Sequence, residues 1–312
     1  MLETDQIHKP VMLNEVLTEL RAEQQGLYVD GTFGAGGYSK AILQAHPQNQ
    51  LYAFDRDQNV ESLAKALHQE FSPRFHFINE RFSQIVEQLQ QKQITKLDGL
   101  VVDLGVSSMQ LDQAERGFSF QQEAHLDMRM GKNELSAFEV VNNYNETELA
   151  DIIYNFGEEH SSRKIAHYIV KARAEQPINS TLELARLVAR AKGQKNIPGK
   201  IHPATKTFQA LRIFINDELG ELRKFLQAAL SLLKSGGRLV VVSFHGLEDK
   251  IVKNFIKEYG SVSTANNRYL PEITASAKEV LLTKGRKLKA SKAEVSANPR
   301  SRSAILRSAL KK

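Results

Sequence analysis

Short apolar runs alternate with amphipathic stretches along the first third of the chain. The runs predict four strands, at residues 27–30, 51–55, 75–79 and 97–104. Apolar residues at helical spacing predict helices between them, at about 38–45, at roughly 57–69 and around Ile85, Val86 and Leu89. The fourth run has the Val-rich centre that a parallel strand buried on both faces requires. This alternation predicts one parallel sheet with right-handed crossovers.

The alternation stops in the middle of the chain. From residue 110 to about 205 there is no convincing strand, and apolar spacing predicts helices at 146–156, 161–175 and 181–192. Ser180 or Thr181 is a candidate cap for the last of them. We therefore predict an all-helical insertion, residues 110–205, in a discontinuous domain formed by residues 1–109 and 206–312.

The α/β pattern resumes after the predicted insertion. Apolar residues that step by three or four from Phe208 to Leu233 predict one long amphipathic helix. A strand at 238–244, a helix at about 247–258 and two strands near 279–288 and 303–310 follow, and the last strand is expected to be antiparallel. The predicted fold is α/β, a Rossmann-like seven-stranded sheet, with its ligand beyond the carboxyl ends of the parallel strands.

The composition is that of an ordinary globular protein, with 41% hydrophobic and 25% charged residues. No apolar run approaches the length of a membrane span, and the acidic start Met-Leu-Glu-Thr-Asp lacks a signal-peptide core. The chain has no cysteine, and its nine histidines form no ligand cluster, so neither a disulfide nor a bound metal is expected. These features favour the cytoplasm and no membrane partner.

The net charge of +6 is unevenly distributed. The segment from Pro271 to Lys312 contains eleven Lys or Arg and three acidic residues, a local balance of +8 that leaves −2 on the rest of the chain. A basic segment on a near-neutral body is suited to phosphate backbones. A solvated tail without a partner is the alternative.

A glycine-rich turn follows the first predicted strand. After Asp30, glycines occupy positions 31, 34, 36 and 37, and a helical pattern begins near Tyr38. This order opens a nucleotide-binding unit, in which glycine lets a ligand approach the backbone closely. The NAD fingerprint G-x-G-x-x-G is broken because Ser39 occupies its third position. Asp55 has the place of a ribose-binding carboxylate, and Asp30 before the glycines favours S-adenosylmethionine (AdoMet) over NAD. A turn without a ligand is the alternative.

Nine longer motifs occur in a fixed order along the chain. They are His8-Lys-Pro-Val, Asp30-Gly-Thr-Phe-Gly-Ala-Gly-Gly, Ala53-Phe-Asp-Arg-Asp, Asp103-Leu-Gly-Val-Ser-Ser, Glu115-Arg-Gly-Phe-Ser-Phe, Leu126-Asp-Met-Arg-Met, His202-Pro-Ala-Thr-Lys-Thr-Phe-Gln-Ala, Ser243-Phe-His-Gly-Leu-Glu-Asp and Asn298-Pro-Arg-Ser-Arg-Ser. In these motifs the chain resembles the bacterial 16S rRNA cytidine-N4 methyltransferases (RsmH, formerly MraW) along nearly its whole length.

The resemblance implies a Rossmann-like methyltransferase with an inserted helical domain. It implies methyl transfer from AdoMet to the N4 amine of a cytidine in the decoding centre of 16S rRNA, within the small ribosomal subunit. It also places AdoMet contacts at Gly36, Gly37, Tyr38, Asp55, Phe82, Asp103 and Gln110.

Three positions depart from the family's pattern. Tyr38 stands where the family usually has His, Met109 where it has Pro, and Gly246 where it has Ser. Tyr38 loses any imidazole-specific role but keeps a main-chain contact available. Met109 alters the loop beside Gln110, and Gly246 removes a hydroxyl.

Each cofactor contact also has a physical interpretation. Asp55 is expected to accept both ribose hydroxyls, with helix capping as the alternative. Phe82 is a candidate cover for the adenine face, although an aromatic residue after a strand is ordinarily part of the core. Gln110 offers donors and an acceptor to the adenine edge or to the methionine end of the cofactor.

Two residues are candidates for catalysis. Asp103, at the end of the fourth strand, is the best-placed carboxylate to accept a hydrogen bond from the target amine and to orient its lone pair. The amino-methyltransferase motif Asp/Asn/Ser-Pro-Pro-aromatic is absent at that place, so its mechanism does not carry over. His245, after the fifth strand, is a candidate proton acceptor or phosphate contact, with a structural role as the alternative.

An RNA substrate requires further contacts, because a cytosine in folded RNA must be splayed out to be methylated. Phe118 and Phe120 are candidate stacking partners, with core packing equally plausible. Lys200, Lys206, Arg212 and the basic tail are candidate phosphate contacts. A monomer and a homodimer both remain open. The competing functions are an NAD-dependent oxidoreductase and a non-enzymatic RNA-binding assembly factor.

Overall fold

The computed structural model describes residues 10–133, 135–194, 201–260 and 282–312. The strands are β1 (Leu27–Asp30), β2 (Gln50–Phe54), β3 (Phe75–Ile78), β4 (Leu97–Asp103), β5 (Leu233–Ser243), β6 (Leu282–Lys289) and β7 (Ile305–Lys311). The helices are α1 (Leu13–Leu20), α2 (Gly37–Ala45), α3 (Glu61–Phe71), α4 (Ile85–Gln91), α5 (Ser108–Asp112), α6 (Ala137–Asn143), α7 (Glu146–Gly157), α8 (Ser162–Glu175), α9 (Thr181–Lys192), α10 (Thr205–Asn216), α11 (Glu218–Leu232), α12 (Gly246–Gly260) and α13 (Lys292–Ala297).

The strands form one seven-stranded sheet in the order β3-β2-β1-β4-β5-β7-β6. The first five strands are parallel to one another, and β7 is antiparallel to both β5 and β6. The predicted Rossmann-like sheet with an antiparallel last strand is therefore confirmed. That last strand lies inside the sheet, between β5 and β6, and β6 is the outermost described strand on that side. The first three residues of the predicted sixth strand, 279–281, lie outside the described residues.

The chain divides into two compact units, Met1–Gly105 with Gly220–Lys312, and Val106–Leu219. The first unit contains the sheet. Its core is built from the apolar strand centres, among which Leu100, Val102 and Val241 are almost fully buried. The apolar runs that predicted buried parallel strands therefore form the core of this unit. That core supports the strands whose carboxyl ends carry the predicted site.

The second unit is helical and has a core of its own. Capping boxes begin α6, where Ser136 and Glu139 bond each other's backbone, and α7, where Asn145 and Glu148 do the same. Ser180 caps α9 by accepting the N–H of Glu183 at 3.2 Å. Of the helices in the described part of the chain, none has the length and apolarity needed to cross a membrane.

The single long helix expected from Phe208 to Leu233 is two helices, α10 and α11. Asp217 adopts a left-handed conformation with φ of 48°, and its N–H closes the end of α10 by donating to Ile213 and Phe214. Aspartate is among the few residues that tolerate this conformation. The same apolar spacing continues on both sides of the break, so the spacing alone does not reveal it.

Helix α10 also lies in the second unit rather than in the domain assigned to 206–312. Phe208, Leu211 and Ile215 belong to the apolar core of the second unit. The buried Asn216 side chain accepts the N–H of Met130 at 2.9 Å and donates to the carbonyl of Met128 at 2.8 Å. The second unit therefore ends at residue 219 and not at the predicted residue 205. The reason is that α10 buries its apolar face among the helices of that unit.

A β-bulge interrupts the pairing of β6 with β7. Lys284 lies opposite Ala309 and Lys287 lies opposite Arg307, so Gly285 and Arg286 share the place opposite Ser308. A Cβ at Gly285 would come within 2.2 Å of the Ser308 hydroxyl, which is why this position requires glycine. The N–H of Arg286 donates to the same hydroxyl at 2.8 Å. The bulge is thus held by a specific side chain of β7.

Candidate active site

The glycine loop after β1 is tied to two neighbouring strands at their carboxyl ends. The N–H of Gly34 donates to Asp55 Oδ2 at 2.8 Å, just beyond β2. The hydroxyl oxygen of Thr32 accepts the N–H of Asp103, the last residue of β4, at 2.7 Å. The loop therefore brings the predicted cofactor and catalytic carboxylates to one edge of the sheet.

Two of the predicted cofactor-binding residues stand where no side chain fits. Gly36 has φ of 78°, and a Cβ there would lie 2.9 Å from the ring of Phe33. A Cβ at Gly37 would lie 2.2 Å from Cγ of Pro10. The two glycines lead into α2, whose first N–H groups have no partner within the helix and attract electron-rich groups.

Tyr38 is buried in the first turn of α2, and its hydroxyl donates to the carbonyl oxygen of Val11. The side chain therefore anchors the amino-terminal segment that also carries Pro10. Burial raises the pKa of Tyr38 well above its usual range, and the nearby negative charge of Asp103 adds to this. The residue that replaces the family's His thus has a structural side chain, which leaves its main-chain N–H as the predicted cofactor contact.

Asp30, at the end of β1, is fully buried and receives several hydrogen bonds. Ser39 Oγ donates to its Oδ2 at 2.7 Å, and the N–H of Thr32 donates to its Oδ1 at 3.1 Å. Burial raises the pKa of Asp30 to about 6, although the bonds from Ser39 and Thr32 oppose the rise. Ser39, which breaks the NAD fingerprint in the sequence, is therefore the residue that satisfies this buried carboxylate.

Asp55 is held in orientation by two backbone donors. Gly34 donates to Oδ2, and the N–H of Asp57 donates to Oδ1 at 2.9 Å. Burial is the main cause that raises the pKa of Asp55 to about 6. Each carboxylate oxygen has a second lone pair, so this arrangement is compatible with two further hydrogen bonds from ribose hydroxyls. Asp55 does not cap a helix, because Asp57 accepts the N–H of Asn59 at the start of the next helical turn.

Phe82 follows β3 and is half-buried. Its ring packs edge-on against Phe225 of α11, with a centroid distance of 5.5 Å. A Cβ at Gly31 would lie 3.2 Å from Cβ of Phe82. The ring is therefore part of the wall beside the glycine loop as well as a neighbour of the apolar core, in line with both interpretations of the sequence.

Asp103 has a buried Oδ1 with no hydrogen-bond partner in the described part of the chain. Burial raises the pKa of Asp103 well above its usual range, and the negative charges of Asp30 and Glu248 add to this. An orphaned carboxylate oxygen of this kind is expensive unless a ligand or a substrate supplies a donor. Asp103 is therefore the strongest candidate among the predicted residues for a group that acts on a bound molecule.

His245 lies just after β5, beside the buried carboxylate of Glu248. Its Nε2 is 3.0 Å from Glu248 Oε1. Glu248 Oε2 accepts the N–H of Phe244 at 2.8 Å and that of His245 at 3.3 Å. Glu248 therefore holds the backbone at the start of α12, where Gly246 replaces the family's Ser. Both imidazole nitrogens of His245 are buried without a hydrogen-bond partner in the described part of the chain, although Nε2 lies close to Glu248.

Sequence reasoning missed Thr32, Ser39 and Glu248 as residues that organise this edge. The sequence does single out Ser39, because it occupies the third position of the G-x-G-x-x-G pattern that the neighbouring glycines otherwise follow. The sequence also offers a signal for Glu248, because an acidic residue in the first turn of a helix commonly bonds the preceding backbone N–H groups.

The predicted contact Gln110 lies in the second unit. It occupies a capping box at the start of α5, in which its Oε1 accepts the N–H of Ser107 at 3.0 Å. Met109 is part of the same helix, so the departure from Pro at this position is accommodated in regular helical structure. The assignment of Gln110 to AdoMet stays a prediction.

The candidate RNA contacts in the second unit are largely engaged in internal structure. Phe118 belongs to the core, and Phe120 packs against Phe208 with a centroid distance of 4.8 Å, so the core interpretation holds for both. Arg212 forms two hydrogen bonds with Glu218, at 2.7 and 2.9 Å. Lys206 donates to the carbonyl of Glu158 at 2.9 Å. Lys200 lies outside the described residues.

The carboxyl edge of the sheet can hold a cofactor such as AdoMet. At Gly36 and Gly37 the backbone enters the amino terminus of α2 with no room for a side chain. The carboxylate of Asp55 can accept further hydrogen bonds beside the one from Gly34. The buried Oδ1 of Asp103 has no hydrogen-bond partner in the described part of the chain. A seven-stranded sheet of this order with such a site defines a Rossmann-like AdoMet-dependent methyltransferase.

The chain belongs to the MraW methylase family, whose sequence profile matches residues 5–312. Three relatives are each called ribosomal RNA small subunit methyltransferase H. The protein from Maricaulis maris is 50% identical and the match covers 97% of this chain and 91% of that protein. The protein from Bradyrhizobium diazoefficiens is 49% identical, and the match covers 97% of this chain and 91% of that protein. The protein from Rhodospirillum rubrum is 48% identical, and the match covers 96% of this chain and 93% of that protein. The family resemblance and the AdoMet cofactor predicted from the sequence are thereby confirmed.

Proposed function

We propose that this protein methylates the N4 amine of a cytidine in the decoding centre of 16S rRNA, within the small ribosomal subunit and in the cytoplasm. Support comes from membership of the methylase family and from relatives called small subunit rRNA methyltransferases. The structural observation that carries the proposal is the orphaned Oδ1 of Asp103 at the carboxyl edge of the sheet.

Asp103 is suited to orient an exocyclic amine. The lone pair on N4 of cytosine is conjugated with the ring, so the amine must be turned before it becomes a nucleophile. A hydrogen bond from the amine to Asp103 Oδ1 restrains that rotation, and the carboxylate stabilises positive charge that grows on the nitrogen. AdoMet, when bound, supplies an electrophilic methyl group on a sulfonium.

The amine must also lose a proton. Asp103 is one candidate acceptor, because burial raises the pKa of its carboxyl well above the usual range and so increases its affinity for a proton. His245 is the second candidate. Both of its ring nitrogens are buried without a hydrogen-bond partner in the described part of the chain, so either one is available to a bound group. Both residues belong to the first unit: Asp103 ends β4, and His245 follows the neighbouring strand β5.

The helical unit is proposed to recognise the RNA. The methyltransferase part then corresponds to the sheet-containing unit, and the RNA-recognition part to residues 106–219, close to the predicted 110–205. Gln110 at the start of that unit is retained as a proposed cofactor contact. A separate recognition unit suits a folded substrate, from which the target base must be splayed out before it reaches the carboxylates.

The experiment is methyl transfer from isotopically labelled AdoMet to small subunits from a strain that lacks the enzyme. Mass-spectrometric mapping should locate the label on N4 of one cytidine in the decoding centre. Efficient methylation of free cytidine, or label elsewhere in the rRNA, would contradict the proposal. Binding of the subunit without any methyl transfer would instead identify a non-enzymatic assembly factor.

A further inference from the structure

The outermost strand, β6, is unusually basic. Four of its eight residues are Lys or Arg, and all four are exposed. In the described segment 282–312, ten residues are Lys or Arg and Glu294 alone is acidic. The direction in which these side chains point decides whether they form one surface or are dispersed.

The β-bulge brings three lysines to the same side of the sheet. Lys284, Lys287 and Lys289 lie opposite Ala309, Arg307 and Ile305 of β7. Directly opposed residues of an antiparallel pair project from the same face, and alternate residues of β7 share a face. In a regular strand Lys284 and Lys287, three residues apart, would face opposite sides. The extra residue at the bulge restores their alignment.

The shared face is the one covered by α12. Arg307 reaches Asp249 of α12 with two hydrogen bonds, at 2.6 and 3.0 Å, and it lies opposite Lys287. The bond from Arg307, together with the positive charges of Lys287 and Lys253, holds the pKa of Asp249 below its usual range. Lys287 of β6 and Lys253 of α12 therefore lie near the same carboxylate.

We call the surface formed by Lys284, Lys287, Lys289, Lys250 and Lys253 the basic face. Lys250 and Lys253 are exposed and three residues apart, which places them on one side of α12. The remaining basic residue of β6, Arg286, is turned away by the bulge. Its Nε lies 3.6 Å from Glu19 of α1, whose other oxygen accepts the Ser308 hydroxyl at 2.5 Å.

Lys287 lies near Asp249, which is paired with Arg307, but the three lysines of β6 have no carboxylate partner of their own in the described part of the chain. None of them forms an ion pair with a carboxylate in that part of the chain, whereas Arg307 and Arg286 each face one. The partners of the three lysines in β7 are alternate residues of that strand, about 6.8 Å apart, so the lysines follow one another along the same face. A row of cations of this kind attracts the negatively charged backbone of a nucleic acid.

Charge alone also fits an anionic membrane, but the surrounding residues favour RNA. Stable binding to a membrane surface needs apolar side chains or a lipid anchor in addition to the cations. The exposed large hydrophobic residues in the described part of the chain are Leu63, Tyr154 and Ile201, and none of them lies on β6 or α12. The face is polar throughout, as a phosphate-binding surface should be.

We propose that the basic face binds the phosphate backbone of structured RNA, and so docks the sheet-containing unit on the small subunit. This proposal rests on the function proposed above. It assigns RNA binding to the methyltransferase unit itself, on a strand separate from the residues that contact cofactor or target base.

The test compares two variants of the full-length protein with equal changes in charge. One replaces Lys284, Lys287 and Lys289 with Gln. The control replaces Lys40, Lys65 and Lys92, exposed residues of the same unit, with Gln. Binding to undermethylated small subunits is measured over a series of KCl concentrations. The β6 variant should bind more weakly, and its salt dependence should be less steep by about 2 to 3 units, because each lost phosphate contact removes about 0.7 to 0.9. The control should match the wild type.

Equal salt dependence in the β6 variant and the control would overturn the proposal. S-adenosylhomocysteine affinity, which should be unchanged in both variants, reports that the first unit is folded. Methyl transfer by the wild type is measured on the same particles. If the wild type transfers no methyl group but the β6 variant still differs from the control in salt dependence, the proposed reaction is wrong and the proposed RNA binding by the basic face is retained.

A second measurement needs no variant. Acetylation of wild-type lysines is mapped with and without the small subunit. Bound subunits should protect Lys284, Lys287 and Lys289 but leave Lys65 and Lys92 reactive. Absence of this protection, or protection by phosphatidylglycerol vesicles in place of the small subunit, would overturn the proposal.

Discussion

The hydroxyl oxygen of Thr32 accepts the backbone N–H of Asp103 at 2.7 Å, which links the middle of the glycine loop to the last residue of β4. The position of the Asp103 carboxylate therefore depends on a loop that begins 73 residues earlier, at Asp30. The same loop reaches Asp55 through Gly34. The carboxylates proposed for cofactor binding and for catalysis are thus aligned by one segment.

Replacement of Thr32 with Val should weaken both stability and activity. Val has a similar shape but no acceptor, so the N–H of Asp103 loses its partner, at a cost of about 1 to 3 kcal/mol. Denaturant unfolding should reveal this loss, and methyl transfer should slow because Asp103 is less well positioned. Thr32→Ser retains the hydroxyl and should behave nearly as the wild type. Wild-type stability of the Thr32→Val variant would show that this hydrogen bond does not stabilise the fold.

Asp55 should contribute directly to cofactor affinity. Asp55→Ala removes an oriented acceptor for the ribose hydroxyls and should weaken AdoMet binding by roughly 1.5 to 3 kcal/mol, the worth of hydrogen bonds to a charged group. Isothermal titration calorimetry measures this change. Lys65→Gln, on the neighbouring helix α3, is a control that should leave affinity unchanged. Wild-type affinity in the Ala variant would place Asp55 outside the site.

The raised pKa of Asp55, about 6, predicts opposite responses of stability and affinity to pH. Because the pKa is above the unfolded value, the folded protein binds the proton more tightly. Stability of the unliganded protein should therefore fall as pH rises through about 6, with Asp30 acting in the same direction. Hydroxyl donors prefer the ionised carboxylate, so S-adenosylhomocysteine affinity should rise over the same interval. Asp55→Asn should flatten the affinity profile, and a profile that keeps its slope in this variant would assign it to another group.

Asp103→Asn should impair the chemical step. The variant keeps the shape and one acceptor oxygen but loses the charge, so stabilisation of the growing positive charge on N4 is lost. Single-turnover methylation of undermethylated small subunits at saturating AdoMet should slow by roughly 10²-fold or more. Asp98→Asn, at the opposite end of β4, should leave the rate unchanged. Recovery of the wild-type rate at saturating cofactor would mean that Asp103 only binds AdoMet.

The sheet and the glycine loop were predictable because their signals are local. Apolar runs that end at Asp30 and Asp103 specify buried parallel strands, and glycines at 36 and 37 mark a crowded turn. The break at Asp217 was not predictable, because Ile215 and Leu219 keep the helical spacing on both sides of it. Only the left-handed backbone of Asp217 and the buried contacts of Asn216 separate α10 from α11.

The candidate site was predictable as a set of strand-end carboxylates, but their partners were not. In the sequence, Ser39 appears only as the residue that breaks the NAD fingerprint. Its hydrogen bond to Asp30 depends on a contact across the glycine-rich turn. Glu248 is one acidic residue among several in its segment, and its importance arises from burial beside His245. Such pairings depend on three-dimensional proximity, which periodicity and motif spacing do not encode.

The bulge at Gly285 and Arg286 has a consequence for how copies of the protein meet. In the described sheet β6 pairs with β7 on one side only, and an open strand edge invites another chain to extend the sheet. A bulge distorts that edge, and Lys284, Lys287 and Lys289 make its approach to an identical strand repulsive. The same residues that attract a polyanion therefore also protect the molecule against self-association and aggregation through its outermost strand.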